Sequence, residues 1–224
     1  MSEPTAPAAF GAPRWPVVLF DLDGTLANSL DLIVAAYGHA FLAVSGRVIN
    51  GADALSWIGE TLVQTFTRED PAHAQELQDV YSAYFEQHVE DVVSEYPGVP
   101  QLLADLRAAG VVTGVVTAKR RAGAVATMRL AGLDGLTRLV GTMEDTTTHK
   151  PDPEPLLAAC AVLDADPSQC CYVGDAIYDI RAAHAAGMAA VAVTWGAGVE
   201  AELVAERPTA LCHDVAELRA ALLA

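Results

Sequence analysis

Lysine is nearly missing from this chain. Only Lys119 and Lys150 carry it among 224 residues, and the segment 27–95 has none. Basic residues are scarce altogether, 13 against 29 acids, giving a formal charge of −16. A surplus of that sign opposes binding to nucleic acid or to anionic membranes. No apolar run is long enough to span a bilayer. The opening stretch, MSEPTAPAAFGAPRWP, has neither a basic start nor a sustained apolar run, so no secretory signal is expected there. The four cysteines (Cys160, Cys170, Cys171, Cys212) lack zinc-ligand spacing and are expected to be reduced and structural. These absences predict a cytoplasmic protein without nucleic-acid or membrane partners, acting as a monomer or a homodimer.

Apolar residues, by contrast, make up 52% of the chain, enough for one large domain or for a core with a smaller insert. Val17-Val18-Leu19-Phe20 is a short continuous apolar run, as expected for a strand buried on both faces of a parallel sheet. Residues 1–14, rich in Pro and Ala, read as a flexible tail. Asn28-Ser29 offers a helix cap for 30–44, and further helices are expected over Ala52–Thr67 and Pro71–Val93. No strand is evident between 27 and 95, so this block is expected to be an all-helical insert. Tyr96-Pro97-Gly98 breaks the chain. From there strands near 111–117, 138–141, 170–174 and 189–194 alternate with helices 99–109, 121–131, 153–163, 177–186 and 214–223. Such alternation predicts an α/β fold, a Rossmann-like parallel sheet covered on both faces. The expected layout is a core of 15–26 and 96–224 interrupted by a helical domain at 27–95.

The first strand ends in Asp21-Leu22-Asp23-Gly24-Thr25. In an open α/β sheet ligands sit beyond the carboxyl ends of the strands, and two carboxylates two residues apart there can both point into the crevice. They repel unless a cation neutralises them or one holds a proton. Asp-Gly-Thr also makes an ordinary strand-to-helix turn. The whole string, however, resembles the nucleophile loop of the haloacid dehalogenase superfamily, whose phosphatases carry Asp-x-Asp-Gly-Thr. The resemblance implies that Asp21 attacks phosphorus to form an aspartyl-phosphate, while Asp23 protonates the leaving oxygen and later activates water. It covers the chain from about residue 16, and it implies that 27–95 is a cap closing over the substrate. Many relatives have Asp-Ser where this chain has Asn28-Ser29, a difference expected to affect hinge or cap contacts rather than catalysis.

Three more strand ends extend the resemblance. Thr117, closing Val115-Val116-Thr117-Ala118-Lys119, matches the second motif, implying that its hydroxyl and the Ala118 amide hold phosphate oxygens. Lys150, ahead of a proline that can open the next helix, matches the third, whose lysine neutralises the phosphate and the nucleophile. Gly174-Asp175-Ala176-Ile177-Tyr178-Asp179 matches the fourth, Gly-Asp-x-x-x-Asp. Here the resemblance implies Mg²⁺ held by Asp175, the Asp21 carboxylate and the Asp23 carbonyl, a donor set that suits this ion. Asp179 is either a metal ligand, directly or through water, or a partner for Lys150. Four such motifs in order let an acidic chain concentrate positive charge where a phosphate would bind.

Residue types then separate the chemistries of this superfamily. A dehalogenase would not need Asp23. A phosphonate-cleaving relative needs a cap lysine, which 27–95 lacks. A mutase must hold a second phosphate in the cap, where only Arg47, Arg68, His39, His73 and His88 are basic. What remains is a Mg²⁺-dependent phosphatase acting on a small phosphorylated metabolite, similar to the phosphoglycolate phosphatase group and its pyrophosphatase and nucleotidase cousins. The segment 56–62, Ser-Trp-Ile-Gly-Glu-Thr-Leu, resembles the substrate loop of that group. Gly59 would allow close approach to the ligand and Trp57 or Glu60 would contact the leaving group; otherwise the stretch is a helix start packing on the core. A phosphate-sensing module on the same fold would lack one of the four charged positions, and none is missing.

Overall fold

The computed structural model describes residues 13–223, so the first twelve positions of the expected tail lie outside the described residues. The chain opens with β1 (Val17–Phe20) and β2 (Ala27–Asn28), followed by α1 (Leu30–Ser45), α2 (Gly51–Ser56), α3 (Leu62–Glu69) and α4 (Ala74–Val92). Next come β3 (Ser94–Glu95), α5 (Val99–Ala108), β4 (Val112–Val116), α6 (Arg121–Leu130) and β5 (Arg138–Gly141). The last part holds α7 (Glu154–Leu163), β6 (Cys170–Gly174), α8 (Ile177–Ala185), β7 (Ala189–Val193), α9 (Glu200–Ala205), β8 (Ala210–Cys212) and α10 (Val215–Leu223).

Six strands form one parallel sheet in the order β5-β4-β1-β6-β7-β8. Alternation along β1 assigns its two faces. Val18 and Phe20 enter a core with Leu102, Leu106, Met128 and Leu218, whereas Val17 and Leu19 enter another with Leu156, Cys160 and Ile180. Burial on both sides is why the strand sequence is uniformly apolar. A third cluster belongs mainly to the helical block, where Tyr37, Phe41, Trp57, Phe66, Tyr81 and Phe85 pack together. The α/β architecture with helical elements between β2 and β3 agrees with the expectation from sequence.

Four local expectations need correction. The single helix over Ala52–Thr67 is two, because Gly59 takes a φ of 102° that ends helical propagation. Thr61 and Gln64 then form a capping box that starts α3, the Thr61 N–H donating to Gln64 Oε1 at 2.9 Å. The block is not strictly strand-free: Ala27–Asn28 and Ser94–Glu95 pair antiparallel, too briefly for any periodicity to betray them. Ser29 does not cap α1 with its side chain, being committed elsewhere. Pro151 does not open α7, which begins after Pro153. Neither α9 nor β8 was anticipated, since six and three residues carry too little pattern to read. No helix among the described residues is long and apolar enough to cross a membrane. All four cysteines are buried free thiols.

Candidate active site

The central strand delivers Asp21 to the carboxyl edge of the sheet, its N–H donating to Val173 O at 2.8 Å. Thr117 directly follows neighbouring β4, and Asp175 directly follows β6 on the other side. Strand order alone therefore gathers residues far apart in sequence. The loop between β5 and α7 adds Lys150, only 2% exposed.

Lys150 Nζ sits between two carboxylates, donating to Asp21 Oδ1 at 2.9 Å and to Asp179 Oδ1 at 2.7 Å. It also donates to the Tyr172 hydroxyl at 3.2 Å, which in turn donates a hydrogen bond to Val116 O at 2.8 Å. Burial by itself would depress the Lys150 ammonium, but Asp179 and Asp21 hold it well above its ordinary value. The second Asp179 oxygen accepts the Ala176 N–H at 2.9 Å. Both oxygens of Asp179 thus accept hydrogen bonds, one of them from Lys150.

Asp21, Asp175 and Asp179 each offer an oxygen within 4.8 Å of the others, and all three are buried. Burial, aided by Asp179, pushes Asp175 up to about 8. Burial likewise pushes Asp21 up to about 7 against the pull of Lys150. One ammonium does not balance three clustered carboxylates. An all-oxygen donor set with surplus negative charge fits a hard divalent cation. Asp175 is well oriented for such a role: Thr25 Oγ1 donates to Oδ1 at 2.7 Å and the Ala197 N–H donates to Oδ2 at 2.7 Å. Gly24 admits this packing, because a Cβ there would lie 2.3 Å from Asp175 Oδ2.

Asp23 occupies a different environment. Its Oδ1 accepts from Ser29 Oγ at 2.6 Å and from Lys119 Nζ at 2.6 Å. Lys119 Nζ also lies 4.4 Å from the centroid of the Phe85 ring in α4. Sequence reasoning missed Lys119, Ser29 and Thr25 as supports. The one available signal was that Lys119 is among only two lysines and follows a strand end.

A cavity of about 170 Å³ opens over Asp21 and Asp23. Thr117 and Ala118 line it from β4, and Gly59 and Glu60 line it from the helical block. Lys150, Asp175 and Asp179 are not on its wall but lie buried beneath. Of the two cap side chains expected near the leaving group, Glu60 lines the cavity and Trp57 does not. Trp57 packs edge-on to Tyr37, ring centroids 5.2 Å apart, because a ring this large is most stable in the aromatic core of the block. Glu60 is bound by Arg68, whose Nη1 donates to Oε1 at 2.6 Å. Gly59 makes its closest approach to protein: a Cβ there would lie 2.9 Å from Tyr178 Cδ2 and 3.0 Å from Ala176 Cβ.

Fold and site together define an α/β protein with a carboxylate pair at the end of its central strand. Residues 18–193 match the family of haloacid dehalogenase-like hydrolases, and the chain belongs to it. Pyrophosphatase PpaX of Bacillus mycoides (strain KBAB4) is 34% identical over 201 residues, spanning 90% of this chain and 94% of that protein. A predicted phosphoglycolate phosphatase of Haemophilus somnus 129PT superposes with a TM-score of 0.81 at 25% identity, covering 93% of this chain and 98% of that one. A hydrolase from Pseudomonas syringae gives a TM-score of 0.83 at 25% identity, with 91% and 95% covered. The protein is a phosphatase of the haloacid dehalogenase type.

Proposed function

We propose that this chain hydrolyses a small phosphate monoester with Mg²⁺ through an aspartyl-phosphate on Asp21. The observation that carries the reading is the placement of Asp21, with one oxygen held by Lys150 at 2.9 Å and its carboxylate on the floor of the cavity. In the first step an Asp21 oxygen forms a bond to phosphorus while the ester P–O bond breaks, and Asp23 gives its proton to the departing alcohol. In the second step Asp23 takes a proton from water, whose oxygen attacks phosphorus and releases phosphate and the free Asp21 carboxylate. Thr117 Oγ1 and the Ala118 N–H hold phosphoryl oxygens, and Lys150 offsets their charge, a contribution of roughly 2.7–4 kcal/mol for groups of this kind. Asp21 and Asp175, with the Asp23 carbonyl, would hold Mg²⁺, which neutralises phosphoryl charge when bound. Asp179 serves this set by fixing Lys150.

Residues 27–95 act as a cap domain that closes the cavity against water, leaving 15–26 and 96–224 as the catalytic core. Buried free thiols at all four cysteines suit a reducing, cytoplasmic setting. A second reading, hydrolysis of pyrophosphate, is supported by the name of the Bacillus relatives. The deciding experiment measures phosphate release by native protein and Asp21→Asn, each with Mg²⁺ and with EDTA. Native activity should require Mg²⁺, and Asp21→Asn should be inert in both. Turnover surviving that substitution would defeat the covalent route.

A further inference from the structure

From the helical block, the cavity is lined by Ile33, Ile58, Leu62, Tyr81 and Phe85, with Gln78 and Ser82 as uncharged polar groups. No basic residue of the helical block reaches it among the described residues. Arg47 Nη2 is 3.1 Å from Glu69 and Arg68 is bound to Glu60. His73 lies 3.0 Å from Asp70, and His39 and His88 stack on Tyr84 with ring centroids 4.5 and 4.2 Å away. Two core cations line the cavity, Lys119 and Arg120. Lys119 is held at Asp23, and exposed Arg120 shares the cavity wall with the acid Glu86. Glu60, the other acid there, is already neutralised.

A leaving group entering this space meets apolar surface, an amide and a hydroxyl, and no cap-borne counterion. Burying a carboxylate or a second phosphate without a partner is costly. Resting on the phosphatase reading, we propose that the physiological leaving group is an uncharged alcohol with an apolar face. Anionic leaving groups such as glycolate or phosphate are selected against. Ile58, Leu62 and Phe85 supply the contact area, while Gln78 and Ser82 bind a hydroxyl or carbonyl of the departing alcohol.

The test compares kcat/KM for 2-phosphoglycolate, its uncharged amide and pyrophosphate, with p-nitrophenyl phosphate as a general substrate. The amide should exceed both anionic compounds by at least about tenfold, the factor that corresponds to 1.4 kcal/mol. A smaller ratio, or preference for either anion, overturns the proposal. Gln78→Arg, which adds a cation to the cap wall, should lower the amide-to-phosphoglycolate ratio by about tenfold; an unmoved ratio also overturns it. Each ratio is taken within one preparation, so a reduced folded fraction cancels. Absence of Mg²⁺-dependent turnover of p-nitrophenyl phosphate by native protein would instead strike the phosphatase reading itself.

Discussion

Lys119 Nζ lies 2.6 Å from Asp23 Oδ1 and 4.4 Å from the centre of the Phe85 ring, so one ammonium joins the proposed acid–base residue to α4 of the helical block. Removing it frees the Asp23 carboxylate to rotate and loosens α4 at the cavity. Lys119→Met should therefore slow hydrolysis of an alkyl phosphate by about tenfold or more, within the range general acid–base catalysis spans. It should cost far less with p-nitrophenyl phosphate, whose leaving group departs without a proton. Parallel kcat/KM measurements on the two substrates, which report only the step in which the leaving group departs, check this; equal losses would show that Lys119 does not assist Asp23 in protonating the leaving group.

Thr25 is fully buried and donates to Asp175 Oδ1 at 2.7 Å. Thr25→Val keeps the shape but deletes the donor. Partners of this kind around metal-binding carboxylates are worth about 10–100-fold in affinity. The Mg²⁺ concentration for half-maximal activity should rise by about tenfold at the low end of that range, with kcat at saturating Mg²⁺ largely kept.

Burial raises Asp21 to about 7 and Asp175 to about 8 from an ordinary 3.8. Between those limits the folded protein holds protons that the unfolded chain has lost. Stability therefore falls as pH rises from about 4 to 8, since unfolding then releases protons. A cation at these carboxylates replaces the protons and removes the penalty. The rise in Tm on adding Mg²⁺ should be small near about pH 5.5 and larger near about pH 8.5. A thermal melt in Mg²⁺ and in EDTA at both values decides the matter. An increment that shrinks with pH would contradict it.

Gly59 combines a left-handed backbone with tight contact against Tyr178 and Ala176. Gly59→Ala adds roughly 1–2 kcal/mol of backbone strain and pushes the 57–61 turn off α8. Denaturant unfolding should show that loss, and KM should rise because the turn forms part of the cavity wall.

The alternating pattern after Pro97 made the sheet legible, and three strand-end motifs made Asp21, Thr117 and Asp175 legible as a set, with Lys150 added from the loop after β5. Residue type and position sufficed there because strand order brings their ends together whatever the packing details. The supports were not legible. Thr25 finds Asp175 across 150 positions, and Lys119 finds Asp23 across 96, through contacts that exist only once the chain has closed. The packing of Trp57 was not legible for a related reason: its neighbours Tyr37 and Phe41 come from a separate helix, α1. The split between α2 and α3 was readable in principle, from Thr61 and Gln64 at capping-box spacing.

Ala27 pairs with Glu95 and Asn28 with Ser94, so the chain leaves and re-enters the core through adjacent threads. A module tethered in this way can be cut out and replaced by a tight turn, or traded for another of different size, while β1 keeps its place in the sheet. With 27–95 as the proposed cap, evolution could thus revise what the enzyme accepts without redrawing the residues proposed to break the bond.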